Sequence, residues 1–343
     1  MKSLKKHTKY FIFLSVILVF FLFLNISLGS VSIPINDIFN TLTGGVASKD
    51  SWQTIILNFR LPKAVTAIMV GSGLSICGLL MQTLFRNPLA GPFVLGISSG
   101  ASLGVALLIL GSGLFGGMFV SMAFSNWALA IAASLGSFFV LFAVIIAANK
   151  VRNTMSILII GLMFGSLTSA VISVLSYFSE AEQIQQYMFW SFGSLGNLTW
   201  TELTVFGIIY SIGVLGTFSI IKPLNSFLLG ENYAKSLGIN IKKSRNIILL
   251  ITSLLTGVIT AFSGPIAFIG LAVPHISKMI FSTSNHKTLL PATALLGAII
   301  LLICDAIAQL PTSEFPLPIN AITSLFGAPV VIWLLVRKKK IYV

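Results

Sequence analysis

The chain has 343 residues, 56% hydrophobic and only 8% charged, with a mean hydropathy of +1.00. A soluble domain carries about 25% charged residues, so one aqueous core is excluded and the composition is that of an integral membrane protein. The net charge of +13 would suggest nucleic acid in a soluble protein; here the cations sit in short loops, where membrane topology accounts for them and no nucleic-acid partner is implied.

Ten apolar runs follow one another: residues 10–28, 64–84, 93–110, 127–148, 155–178, 203–221, 246–261, 266–280, 289–309 and 319–336. Roughly 20 apolar residues cross a bilayer as a helix, and the runs lack the alternation of barrel strands. They predict an all-α membrane fold of about ten transmembrane helices, one transmembrane domain over residues 1–343. The first run follows Lys2, Lys5, Lys6 and Lys9. It exceeds the ~7–15 residues of a signal h-region and no A-x-A site follows, so it reads as an uncleaved helix. The eighth is short and carries Pro274 and His275.

Between the first two runs, residues 30–63 are polar, with a surface helix expected at 34–42. Between the fifth and sixth, residues 180–201 carry Tyr187, Phe189, Trp190 and Trp200. These aromatics either anchor in the headgroups or belong to a short helix capping a pathway. Glycines cluster inside runs: Gly71, Gly73 and Gly78; Gly96, Gly100 and Gly104; Gly161 and Gly165. Small residues at this spacing let helices approach closely, either as plain packing or as contacts that slide.

The longest polar interruption of the second half is residues 222–245, with Lys222, Lys235, Lys242, Lys243 and Arg245 against one acid, Glu231. Gly230 and Gly238 bracket a short helical turn. A basic segment between spans belongs on the cytoplasmic side. With both termini also placed there, eighteen of the 21 Lys/Arg fall inside, leaving Lys49, Arg60 and Lys63 outside. Of the acids, Asp37, Asp50, Glu180, Glu182, Glu202 and Glu314 fall outside. Losing one span would invert everything after it.

Chemistry-bearing residues are sparse. Cys77 and Cys304 each lie in an apolar run and read as packing residues. His7 and His286 fall in loops, and His275 reads as interfacial. Three scattered His and two Cys make no metal or haem set, so no metal and no cofactor is expected on this chain. No GxxxxGK[ST] loop is present, so ATP belongs elsewhere. Asp305 is the one acid well inside a run; intramembrane acids are costly and often functional, while a hydrogen bond to a neighbouring helix is the simpler use.

One string carries more than composition. Arg86-Asn87-Pro88-Leu89-Ala90-Gly91-Pro92, followed by Leu95-Gly96 and Gly100-Ala101, is physically a helix stop: Pro88 lacks an N–H and Asn87 bonds nearby backbone. It also resembles the RNPLA signature of the FecCD-type permeases, the iron-siderophore, haem and cobalamin branch of bacterial ABC importers. Arg60-Leu61-Pro62-Lys63, residues 263–271 with Pro274-His275, Leu289-Leu290-Pro291 and Gly327-Ala328-Pro329 resemble further motifs of that family, in order, over residues 60–336.

The resemblance implies a type II importer permease in the bacterial inner membrane, ten helices per protomer with both termini cytoplasmic. Two protomers, a homodimer or close paralogues, would enclose a pathway lined by the fifth and tenth helices, with lipid around them. Ser156, Ser166, Thr168, Ser169, Thr323 and Ser324 are the candidate wall. A separate ATPase carrying ATP-Mg would dock on the island, where Leu229-Gly230-Glu231, Ala234-Lys235 and Leu237-Gly238 match the family's coupling helices. An extracytoplasmic binding protein would dock opposite, on Arg60 and Lys63. Departures are Gly91 for the family's Asp, Lys63 for its second Arg, Pro316 for its Glu and Gln309 for its Arg. An ion-coupled secondary transporter is the rival reading; it would need more intramembrane ionisable groups or broken-helix ion sites.

Overall fold

The computed structural model describes residues 2–112, 125–151, 154–309 and 317–336. Arg152, Glu314, Pro316 and the basic residues 337–340 lie outside that set. Among the described residues all regular structure is helical. Seven helices are long and apolar enough to cross a membrane: within α1 (Lys2–Ser27), the continuous helix Asp50–Leu84, α6 (Asn126–Lys150), α7 (Thr154–Tyr177), α9 (Trp200–Ser219), α12 (Ile241–Ser263) and α14 (His286–Gln309). Three shorter apolar helices complete the ten expected spans: α5 (Ile97–Ile109), α13 (Ile269–Phe281) and α15 (Ile319–Val336).

The differences from expectation have local causes. The second span begins well before residue 64. A helical turn, α3 (Asp50–Ile55), runs through a π-helical turn, Ile56–Arg60, into α4 (Leu61–Leu84). A π turn carries an extra residue and re-aims the side chains beyond it; here it turns Arg60 inward. The third span opens as a 3-10 turn, Pro92–Leu95, and becomes α-helical only after Gly96, whose φ of +72° suits glycine. The eighth is a half-helix. Gly264 (φ +70°) ends α12, residues 265–267 are not helical, and Phe268 (φ +65°) opens α13. The anticipated surface helix forms as α2 (Ile35–Leu42).

α4 is the centre of the bundle. Twenty of its 24 residues are buried, against α12, α13 and α14. In lipid there is no hydrophobic drive between apolar helices, so close van der Waals contact must hold them. Glycine provides it: a methyl group on Gly78 would sit 1.6 Å from the Gly270 carbonyl oxygen of α13. The Gly71–Gly297 crossing of α4 with α14 and the Gly100–Gly136 crossing of α5 with α6 are nearly as tight. These glycines therefore sit at close helix crossings. α7 is the opposite of α4. It leaves Ile159, Met163, Leu167, Val174 and Tyr177 exposed, as α15 leaves Leu325, Phe326 and Trp333.

Candidate functional site: two polar ends of an apolar bundle

At one end, the island folds as α10 (Ile221–Leu228), α11 (Glu231–Ser236) and the first turn of α12. Gly230 (φ +108°) and Gly238 (φ +79°) make the two sharp corners. Asn240 caps α12 by accepting the Lys243 N–H. Ala234 is wholly buried against the bundle. On the outer side, Leu229, Tyr233 and Leu237 are each at least half exposed, beside exposed Lys235, Lys242 and Lys243. Tyr233 escaped the sequence reading; an aromatic in an otherwise polar island was the available signal.

The Arg86–Ala90 turn lies against this island. Arg86 has a left-handed backbone (φ +48°), and its Nη2 donates to the Leu228 carbonyl at 3.3 Å. Asn87 Oδ1 accepts the Leu89 N–H at 2.9 Å, the expected Asx turn. Leu89 is exposed while Ala90 is fully buried. From behind, the His275 ring nitrogen Nε2 lies 2.8 Å from the Pro88 carbonyl, so the half-helix α13 holds the turn. Gln82 Nε2 donates to the Leu271 carbonyl, again joining α4 to α13. His275 is therefore buried and structural, not merely interfacial.

Two other histidines depart from expectation. His7 is part of α1 and contacts the Phe281 carbonyl. His286 is no loop residue: it is buried at the start of α14, and its ring and backbone reach Asn225 of α10 and Thr83 of α4. Nothing local marks it, because its partners are distant in sequence.

At the other end of the bundle lies α8 (Ala181–Ser191), with large apolar side chains on both its inner and its outer side. A capping box of Glu180 and Gln183 starts it. Tyr187 and Trp190 stack on each other and pack inward, while Met188, Phe189 and Phe192 are exposed. Burial pushes the Tyr187 phenol pKa up, opposed by a hydrogen bond from Ser102. The Phe192 carbonyl accepts the Asn320 N–H, which ties α8 to the start of α15. Below α8, Asn126, Gln186, Trp190, Asn197 and Ser263 line a cavity of about 200 Å³.

Two of the three outer cations, Arg60 and Lys63, are held from within the bundle. Arg60 is 8% exposed, and its guanidinium donates to the carbonyls of Ile26, Ser27 and Val31, capping the end of α1. Lys63 Nζ lies 3.0 Å from Asp305 Oδ1, whose Oδ2 accepts from Asn25 and Gln309, both at 2.8 Å. Gln309, where the family has Arg, is thus a neutral partner of the same acid. Asp305 is fully engaged, and the ion-transport reading loses its only residue. Neither Arg60 nor Lys63 presents a free charge to a partner in this conformation.

Of the pathway candidates, Ser166 and Ser169 lie on the exposed face of α7, and Ser156 and Ser324 are half-buried. Thr168 and Thr323 are buried within the protomer, donating to the carbonyls of Gly165 and Asn320. A wall facing a second protomer therefore excludes those two. No group of His, Cys, Asp or Glu among the described residues is placed to hold a metal.

The family model of the FecCD transport family matches residues 17–337. The chain belongs to the FecCD transport family. The hemin transport system permease protein HmuU of Yersinia pestis is 35% identical to it over 329 residues, 96% of this chain and 95% of the relative. The vitamin B12 import system permease protein BtuC of Klebsiella pneumoniae is 37% identical over 289 residues, 84% of each. Among solved structures, a candidate metal-chelate type ABC transporter in an inward-facing conformation superposes with a TM-score of 0.83 at 30% identity, over 97% of this chain and all of that one. As a FecCD protein the chain is a membrane-embedded permease subunit of an ABC transporter, and ATP hydrolysis belongs to a separate subunit.

Proposed function

We propose that this permease imports a metal chelate of the size of haem, a siderophore or a corrinoid, driven by an ATPase that docks on α10 and α11. The HmuU and BtuC relatives support the substrate class. Two copies of the chain, or this chain and a paralogue, face each other across the exposed sides of α7 and α15. Both termini and the island lie in the cytoplasm, by the charge bias of the loops. A binding protein delivers substrate to the end that carries α8, on the platform that Arg60 and Lys63 hold together from within.

The observation that carries the coupling assignment is the build of α11. It buries Ala234 completely, and with the residues on either side it exposes three large side chains, Leu229, Tyr233 and Leu237, beside Lys235, Lys242 and Lys243. Aromatic and aliphatic anchors ringed by polar groups are what a tight protein contact uses. Movement of a docked ATPase presses on α11, and α10 and the Arg86 turn pass the displacement to α4 and α13. The two-state outcome is alternating access.

The test is Tyr233→Ala with Leu237→Ala in the permease co-expressed with its ATPase. Hot-spot losses of about 2 kcal/mol or more each predict loss of ATPase co-purification while the permease still inserts. Undiminished co-purification and chelate uptake would reject the docking assignment.

A further inference from the structure

α10 touches the bundle at two polar points that differ in kind, while a third contact of the island, Arg245 Nη2 donating to the Ala148 carbonyl at 2.7 Å, joins α12 to α6. At the Arg86 turn the contact is one long bond, 3.3 Å, from an exposed arginine to the Leu228 carbonyl. At His286, a buried side chain, it is a network of shorter ones. Asn225 Oδ1, on α10, accepts the His286 backbone N–H at 2.9 Å and faces its ring Nδ1 at 2.8 Å. Asn225 Nδ2 donates to Asn285 Oδ1, which in turn accepts the Lys287 N–H. The Asn225 orientation is therefore set, its oxygen toward His286, and Nδ1 carries the ring proton. Nε2 is then the acceptor. The Thr83 hydroxyl of α4 lies 2.8 Å from it and equally close to the Leu79 carbonyl, so its one proton is shared between these two acceptors.

Two helices that the ring connects form one body. The Gly71–Gly297 crossing and Ser75 against Gly297 leave α4 and α14 no room to slide. Asn225 meanwhile supplies the oxygen for an N–H at the start of α14, a group that an α-helix cannot satisfy internally. α10 is therefore fastened to the α4–α14 body by capping oxygen, ring and hydroxyl at once; the two Asn225 bonds are part-buried and the ring–hydroxyl bond is buried, where leaving a partner unmade costs most.

We propose that His286 is the positioning residue through which the coupling island moves the transmembrane helices: the stroke passes from Asn225 through the imidazole to Thr83, and the Arg86 turn follows. The proposal rests on the coupling role of α10 and α11 and names His286, ahead of the Arg86 turn, as the main carrier of the displacement. It predicts a class of variant in which the ATPase docks and hydrolyses ATP while transport lags.

The experiment compares His286→Leu, His286→Gln, Thr83→Val and Arg86→Ala in the full permease, reconstituted in proteoliposomes with its ATPase and binding protein. Haem and cobalamin serve as probes. Two readings are taken: ATPase co-purification, and chelate imported per ATP hydrolysed. His286→Leu and Thr83→Val keep co-purification and lower the ratio about tenfold, the scale of a buried hydrogen bond left unmade. His286→Gln, whose amide reaches Thr83, recovers part of it, and Arg86→Ala changes it least. An unaltered ratio in Thr83→Val overturns the proposal, and so does an Arg86→Ala loss larger than that of His286→Leu. If His286→Leu fails to assemble, Thr83→Val decides, because it leaves the Asn225 contacts intact. Loss of co-purification in Tyr233→Ala/Leu237→Ala tests the docking surface separately, so the two ideas fail independently.

Discussion

At the scale of single residues, the charges inside this membrane protein are used to fasten helices. Lys63 and Asp305 join α4 to α14, and Asn25 brings in α1. Such pairs are costly to bury, and their removal one side at a time is worse, because a charge is stranded. Asp305→Asn is expected to destabilise the solubilised protein by about 3 kcal/mol, read as a lowered Tm. Lys63→Met with Asp305→Leu recovers most of it, since packed apolar groups often replace a buried pair at little cost. If the double variant is no more stable than the single one, the pair is doing something other than neutralising itself. The sequence singled out Asp305 as odd and Lys63 as outward-facing; each was half of one fact. The ion pair was illegible because its partners lie in different helices and no local spacing connects them. Arg60 was hidden for a similar reason: its role is to satisfy carbonyls at the end of α1, and a helix end is visible only once the helix is placed.

At the scale of elements, the spans were legible from hydropathy and the loops from charge, whereas breaks within spans were not. Residues 266–280 read as one short apolar helix. The chain is not helical at residues 264–267 and is helical from Ile269, and apolar side chains give no hint of that change. The RNPLA turn was readable because Pro88 and Asn87 act locally, and it forms as expected. Glycine separates the two kinds of information. Gly78 stands in an apolar run and Gly238 in the polar island, and only the structure shows that the first meets a backbone oxygen while the second has nothing within 4 Å. Gly238→Ala is expected to cost about 1–2 kcal/mol, the left-handed penalty alone. Gly78→Ala must push α4 from α13 and is expected to abolish accumulation of folded protein. The comparison is made by yield and Tm on size-exclusion-purified permease; equal behaviour of the two variants would contradict the tight crossing.

At the scale of the whole molecule, the topology can be read without disturbing the chain. Both native cysteines are buried and free, so a membrane-impermeant thiol reagent has little background. Lys49→Cys is expected to label in intact cells, and Lys235→Cys only after permeabilisation. The reverse pattern would place the island outside and end the ATPase assignment.

The glycine-lined α4 has a further consequence, for assembly. Translation proceeds from the N-terminus, and Gln82 of this helix bonds a carbonyl 189 residues further along. The segment that becomes the centre of the finished protein is therefore among the first to enter the bilayer, and its bare, narrow side waits there for neighbours the ribosome has not yet made. The keystone is laid before the arch.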